Sequence, residues 1–296
     1  MRKYDYENMF GTTRELQGLE KTSPFAVREN EFWEKKPTSH PRYIELDQVQ
    51  GEIIKLCNRY LILTERMLDQ CLHILDYPYP RTWLHPQLLS LAESGYLDQM
   101  VIKGENAAPI NAFAVGCKGS GWLKSNHIRP RLHSYIEDCD TIRLKKILAA
   151  NQFMTEKKYS CEKCLTGEMV IEHHKRTSSK LFRGYGSVRD NGKQIYVEVV
   201  RNTEKYYDNL LEKLNRMDNT LEVNRKLSGQ MTETEVVVIT ENEAMMREIK
   251  ERLEKYKKYR NFSIFVTYDR WLLGEGNDNL EKVVQRSFIE RIFHVA

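Results

Sequence analysis

The chain has 296 residues, of which 41% are hydrophobic and 30% charged, and its 46 Lys+Arg against 42 Asp+Glu leave a formal net charge of +4. At ~100–200 residues per domain this length suits two domains. The composition excludes whole-chain disorder, and 15 Gly with 8 Pro exclude a collagenous or low-complexity architecture. Residues 1–42 mix Thr, Ser, Pro, Gly and both signs of charge without sustained periodicity, which predicts an arm with scattered aromatic anchors (Phe25, Phe32, Trp33) that orders only against a partner.

From Tyr43 the pattern turns helical. Ile53, Ile54, Cys57 and Tyr60 recur at helical spacing, and Met67, Leu68, Cys71, Leu72 and Leu75 follow just after Thr64-Glu65, an N-cap signal. Tyr77-Pro78-Tyr79-Pro80 breaks the helix, and Leu84, Leu88 and Leu91 form a third stripe that Gly95 stops. Residues 96–102 and 110–115 read as two strands around a turn at 104–109, followed by a glycine-broken turn at Gly116, Gly119 and Gly121. Three helices followed by a two-stranded ribbon is the order of a winged helix.

A basic stretch comes next, with seven Lys/Arg against three Asp/Glu from Lys118 to Lys146, and Thr141 to Met154 predicts a joining helix. Period-two strands are expected at 169–171, 181–188 and 194–200, with Asp190-Asn191-Gly192 as a hairpin turn. Thr203 is placed to cap a long helix carrying Tyr207, Leu210, Leu211, Leu214 and Met217. Val236 to Ile239 reads as a buried strand, Asn242 to Tyr259 as a helix with a solvated ion-paired face, and Phe262 to Val266 as the strand that closes the sheet. The fold class expected from this order is α/β overall, a winged helix-turn-helix domain followed by an α/β sheet with helices against it. The division expected is an arm over 1–42, a winged-helix domain over 43–126, a basic helical connector over 127–160 and a nuclease-like α/β domain over 161–296.

In a winged helix the third helix enters the major groove and the residues near its N-terminus touch base edges, which here are Arg81, Thr82, His85, Gln87 and Ser90. That helix carries a single Arg, so phosphate neutralisation falls to Lys118, Lys124, Arg129 and Arg131 beyond the ribbon. The most basic stretch runs from Lys175 to Arg201, with Lys175, Arg176, Lys180, Arg183, Arg189, Lys193 and Arg201 against Asp190 and Glu198, and offers either a phosphate track or a solvated strand face.

A hairpin, helix and strand with one glutamate in the middle strand is how metal-dependent nucleases hold their cation, which needs hard oxygen ligands and a nearby lysine. Glu198 supplies the glutamate. Val200 stands where such a site wants Lys, Gly186, Ser187 and Val188 stand where it wants Asp, and Glu168, Glu172 and Lys213 are the substitutes at hand. Cys161 and Cys164, with His173 and His174 nine and ten residues beyond, carry soft-ligand chemistry suited to zinc. Their spacing departs from the usual C2H2 pattern and adjacent strand histidines point to opposite faces, so an incidental thiol pair is the stronger reading. No Gly-rich phosphate loop, Ser-centred elbow or diagnostic His/Asp spacing appears.

Leu63-Thr64 opening a helix, the LLSLAESGYL run from Leu88 to Leu97, Val197-Glu198-Val199 with Asn202-Thr203-Glu204, the LLEKL run from Leu210 to Leu214, and Val236 to Ile239, in that order, resemble the replication-relaxation family. The resemblance covers about residues 44–273 and implies an N-terminal winged helix, a C-terminal restriction-endonuclease-like domain, and a role in replication and mobilisation of plasmids and integrative elements. It matches Glu198 to the strand glutamate and Lys213 to the helix lysine, and Gly186-Ser187 occupy the place of the family's aspartate.

The expectation is a non-catalytic DNA-binding accessory protein of a mobile element that binds duplex DNA, with a replication or relaxation protein and a second copy of itself as candidate partners. A nuclease using Mg or Mn at Glu198, Glu168 or Glu172 with Lys213 is the alternative from the enzyme class. A transcriptional regulator or assembly adaptor acting through protein contacts is the third reading. No apolar run of about 18 residues occurs, the start Met1-Arg2-Lys3-Tyr4 lacks a signal-peptide core, and the six Cys predict no disulfide framework, so a cytoplasmic protein without membrane contact is expected.

Overall fold

The computed structural model describes residues 25–38, 44–77, 79–80, 82–104, 109–131, 139–157, 164–170, 183–190, 192–228, 233–256, 259–269 and 281–282, and shows a mixed α/β protein with two sheets. The first sheet has the order β1-β3-β4-β2, with β1 (Phe32–Lys35), β2 (Leu63–Thr64), β3 (Leu97–Lys103) and β4 (Ile110–Val115) all antiparallel. Three helices lie with it: α1 (Gln48–Tyr60), α2 (Glu65–Ile74) and α3 (Leu84–Glu93).

Local chemistry sets the ends of these helices. Asp47 and Gln50 form a capping box on α1, at 2.7 and 3.0 Å. The Thr64 hydroxyl accepts from Met67 N at the start of α2, as the sequence predicts. Gly95, at φ +81°, turns the chain out of α3. The two-residue β2 between α1 and α2 pairs with β4 and so joins the β3–β4 ribbon to the helices.

Two expectations for this half are corrected. Residues 25–38 are not a free arm: Phe25 is buried in the core and β1 pairs with β3, with Trp33 Nε1 donating to the Cys139 carbonyl at 2.7 Å. The glycine-broken turn is instead a helix, α4 (Cys117–Ser125). A Cβ at Gly116 would stand 2.5 Å from Gly95 O, and one at Gly119 2.2 Å from Tyr96 O, so these glycines let α4 press against the entrance of β3.

The second sheet has the order β10-β9-β8-β7-β6-β5. Strands β5 (Cys164–Val170), β6 (Arg183–Asp190) and β7 (Lys193–Val199) form an antiparallel meander. Strands β8 (Thr234–Thr240) and β9 (Ser263–Tyr268) continue it in parallel, through α6 (Tyr206–Ser228) and α7 (Glu243–Lys255). The short β10 (Glu281–Lys282) pairs beyond β9, so β9 is not the closing strand. Helix α6 starts at Tyr206, and the Thr203 hydroxyl donates to the Arg201 carbonyl at 3.4 Å rather than capping the helix. Asn242 stands just outside α7 as its N-cap rather than within it, accepting from Met245 N at 2.9 Å. Among the described residues no helix is long and apolar enough to cross a membrane.

The predicted joining helix is α5 (Thr141–Glu156), which begins on Asp140, the acceptor from Arg143 N at 2.6 Å. It lies inside one apolar cluster that holds residues of both sheets, from Ile53, Leu68 and Phe113 to Val188, Val197 and Ile239. The other face of the second sheet packs Tyr196, Val200, Val236 and Val238 against α6 and α7. Four cysteines (Cys57, Cys71, Cys139, Cys164) are buried and Cys117 is exposed.

Two ion pairs are sealed in this interior. Lys145 on α5 is fully buried, pairs with Glu31 and donates to the Ala26 carbonyl. Arg201, after β7, meets Asp269, after β9, at 3.0 Å. Glu241, after β8, accepts from Val27 N and Asn202 N, both at 3.0 Å. The segment before β1 is therefore tied to the carboxyl ends of the three parallel strands. Lys145→Met strands a buried carboxylate, so a loss of about 3–5 kcal/mol of stability is expected in urea unfolding. Combining it with Glu31→Gln is expected to restore most of that loss, because no unpaired charge remains.

Candidate functional site

The second sheet opens between β6 and β7. The β6–β7 ladder runs from the hairpin turn only as far as Gly186↔Val197, whereas β6 continues against β5 to Arg183, so β6 leaves β7 at the level of Glu198. Glu198 is held from the other side by the parallel ladder to Val238. Lys146 of α5 and Lys213 of α6 reach this notch, their ammonium nitrogens 5.3 and 5.2 Å from the centre of the Tyr185 ring, within cation–π range.

Glu198 is only 2% exposed, and its two oxygens differ. Oε1 accepts from Lys213 Nζ at 2.5 Å, while Oε2 is buried without a hydrogen-bond partner among the described residues. Burial pushes the carboxyl above the usual glutamate range, and Lys213 and Lys146 oppose that shift. Burial likewise pushes the Lys146 ammonium below the usual lysine range, opposed by Glu198. Lys146 has neither an ion pair nor a hydrogen bond among the described residues.

These residues do not suit a divalent cation. A cation at Oε2 would have one carboxylate, with the charges of Lys213 and Lys146 acting against it, where magnesium or manganese needs several oxygen ligands. Val200, in the place of the pattern's lysine, is buried against α6 and α7. Glu168 lies on β5 at the register shift between Thr166 and Met169, two strands from Glu198, and Glu172 lies outside the described residues. Among the described residues no group of three or more His, Cys, Asp or Glu is placed to hold a metal. Cys164 is buried in the apolar core at the start of β5; Cys161, His173 and His174 lie outside the described residues.

The helical half holds its candidate residues in several ways. Thr82 is exposed just before α3, and Arg81 lies outside the described residues. His85 is exposed, with Nδ1 2.7 Å from Glu65 Oε2. Gln87 accepts from Gln50 Nε2 at 2.7 Å, which ties α3 to α1, and Ser90 is half-buried. Lys124 and Arg129 are exposed on and after α4, and Lys118 Nζ stands 5.9 Å over the Tyr96 ring. Arg131 has a structural task instead: Nη1 donates to the Arg59 carbonyl at the end of α1, and its backbone N donates to Asn58 Oδ1 at 2.7 Å.

The basic stretch is only partly available to a polyanion. Arg201 is buried against Asp269, and Lys193 pairs with Glu233 and Glu235 at 2.8 and 2.9 Å. Arg189 is exposed on β6, and Arg183 pairs through its backbone with Val170. Lys175, Arg176 and Lys180 lie outside the described residues.

Sequence reasoning reached Glu198 and Lys213 but missed Lys146 and Tyr185. Lys146 follows the fully buried Lys145, and nothing in the dipeptide distinguishes the two. Tyr185 is one residue beyond the last β6–β7 pair, so an extended register would have set it opposite Glu198.

A carboxyl raised by burial adds a stability term that is full below its unfolded value and is lost as pH rises through its folded value. Glu198→Gln lacks that titration. The variant is therefore expected to gain on the native chain in melting temperature as pH rises from about 4 to about 8; a constant difference across that range would contradict it. In comparisons with family models, curated proteins and solved structures, the chain matches none.

Proposed function

We propose that the chain is a duplex-DNA-binding accessory protein of a mobile genetic element, acting in replication or mobilisation through a winged helix, with a nuclease-like second half that is not catalytic. The observation that carries this reading is the connectivity of the first half. The two-residue β2 between α1 and α2 adds to the β3–β4 ribbon that follows α3, an arrangement shared with winged helices. The order α5, β5, β6, β7, α6, β8, with a glutamate where β6 leaves β7, supports the nuclease-like reading of the second half. A single carboxylate under the charges of two lysines supports reading it as non-catalytic.

In this reading α3 faces the groove with Thr82 and His85 at its start, and Lys124 and Arg129 hold phosphates. Arg131 is left out because it caps α1. Retardation of duplex DNA at low salt is expected, with affinity falling as salt rises. Lys124→Ala with Arg129→Ala is expected to lower the slope of log K against log salt by about 2, close to one for each phosphate that is no longer neutralised. An unchanged slope, or no binding at about 50 mM salt, would overturn the reading. Cleavage of a plasmid in magnesium or manganese, lost in Glu198→Ala, would instead establish the nuclease.

A further inference from the structure

The notch at Glu198 leaves two complementary groups unused. Glu198 Oε2 is a buried acceptor without a donor, and the Lys146 ammonium is a donor without an acceptor among the described residues. Lys213 completes the set, bound on one side to Glu198 Oε1 and still 30% exposed. One carboxylate against two ammonium groups leaves a net charge of +1. A ligand that satisfies all three must carry negative charge for the lysines and an O–H for the carboxylate.

We propose that Glu198, Lys146 and Lys213, over the Tyr185 ring, form a metal-independent binding site for a phosphate that retains an O–H. The carboxylate confers the selectivity. Orthophosphate near neutral pH keeps a hydroxyl and can donate to Oε2 while its remaining oxygens accept from the two lysines. Sulfate has the same shape and charge but no proton, so it sets an oxygen lone pair against the carboxylate, and a buried pair of acceptors without a hydrogen between them is costly. An internal phosphodiester of DNA also lacks the O–H. The ligand is therefore free orthophosphate or a terminal phosphate of a nucleotide or nucleic-acid end that retains a proton. This inference does not depend on duplex binding by the helical half.

The test is calorimetric titration of the full chain near pH 7 with sodium phosphate and with sodium sulfate at matched ionic strength. Phosphate is expected to bind at least about tenfold more tightly than sulfate, the factor that one charge-assisted hydrogen bond supplies. Lys146→Gln is expected to weaken phosphate about tenfold or more. Glu198→Gln, whose amide donates as well as accepts, is expected to remove the preference and bring sulfate level with phosphate. That change of selectivity is one a merely structural role would not produce, and far-UV circular dichroism of both variants establishes that they fold. Equal affinity for the two anions in the native chain, or no heat from either, would overturn the proposal. A 5′-phosphorylated single-stranded oligonucleotide beside its 5′-hydroxyl counterpart separates the two sources. Tighter binding of the phosphorylated strand assigns the site to a nucleic-acid end, and equal binding of the strands with a response to orthophosphate assigns it to the free anion.

Discussion

A helix buried on all sides has no solvated face on which to place its polar side chains, and α5 is such a helix. Lys145 meets Glu31 and the Ala26 carbonyl, and Asn151 donates to the Tyr60 and Ile62 carbonyls at 3.0 and 2.6 Å. Gln152 donates to the Asp269 carbonyl at 3.0 Å, and Thr155 to the Gln152 carbonyl at 3.1 Å. Each partner belongs to a different part of the chain or to the helix itself. The segment before β1, the end of α1 and the end of β9 are therefore fixed relative to one helix by groups that cannot be left unpaired.

The same helix positions the candidate site. Consecutive residues on a helix are about 100° apart, so Lys145 and Lys146 point in different directions. The first goes into the ion pair with Glu31 and the second over Tyr185. Because Lys145, Asn151 and Gln152 hold α5 in place, the ammonium of Lys146 reaches the point where β6 leaves β7. Lys213 arrives from α6, which packs on the opposite face of the sheet. Loss of the Lys145 pair would therefore disturb the site without touching any residue in it.

What the sequence discloses follows how local each signal is. The stripes of α1, α2 and α3, the Thr64 cap and the Gly95 stop depend on neighbours within one or two turns, and all are where the sequence puts them. Helix α4 escapes because the CKGSGW stretch has poor helix propensity, and the reason for its glycines, close approach to Gly95 O and Tyr96 O, lies in another element. Strand β1 is four residues long and takes its identity from the edge of β3. Glu198 and Lys213 are legible as a strand glutamate and a helix lysine in a recognisable order. Lys146 and Tyr185 join them through the end of a strand ladder, which no local pattern encodes.

Glu198 is paired less completely than Lys145. Lys145 and Arg201 are fully buried, and each has an oppositely charged partner and a carbonyl acceptor. Among the described residues Glu198 has one lysine on one oxygen and no hydrogen-bond partner on the other. An unsatisfied buried acceptor costs about 1–3 kcal/mol, more when it is charged. Its neighbours Val197 and Val199 show that the strand accommodates apolar residues well. A fold that required only packing would do better with an apolar residue here, since replacing a buried ion pair with apolar groups is often neutral or stabilising. Other buried polar atoms, Arg201 Nε among them, also lack a hydrogen-bond partner among the described residues, but this oxygen lies where the β6–β7 ladder stops, beside Lys213 and within the field of Lys146. Sites that sacrifice stability in this way are characteristically sites of function.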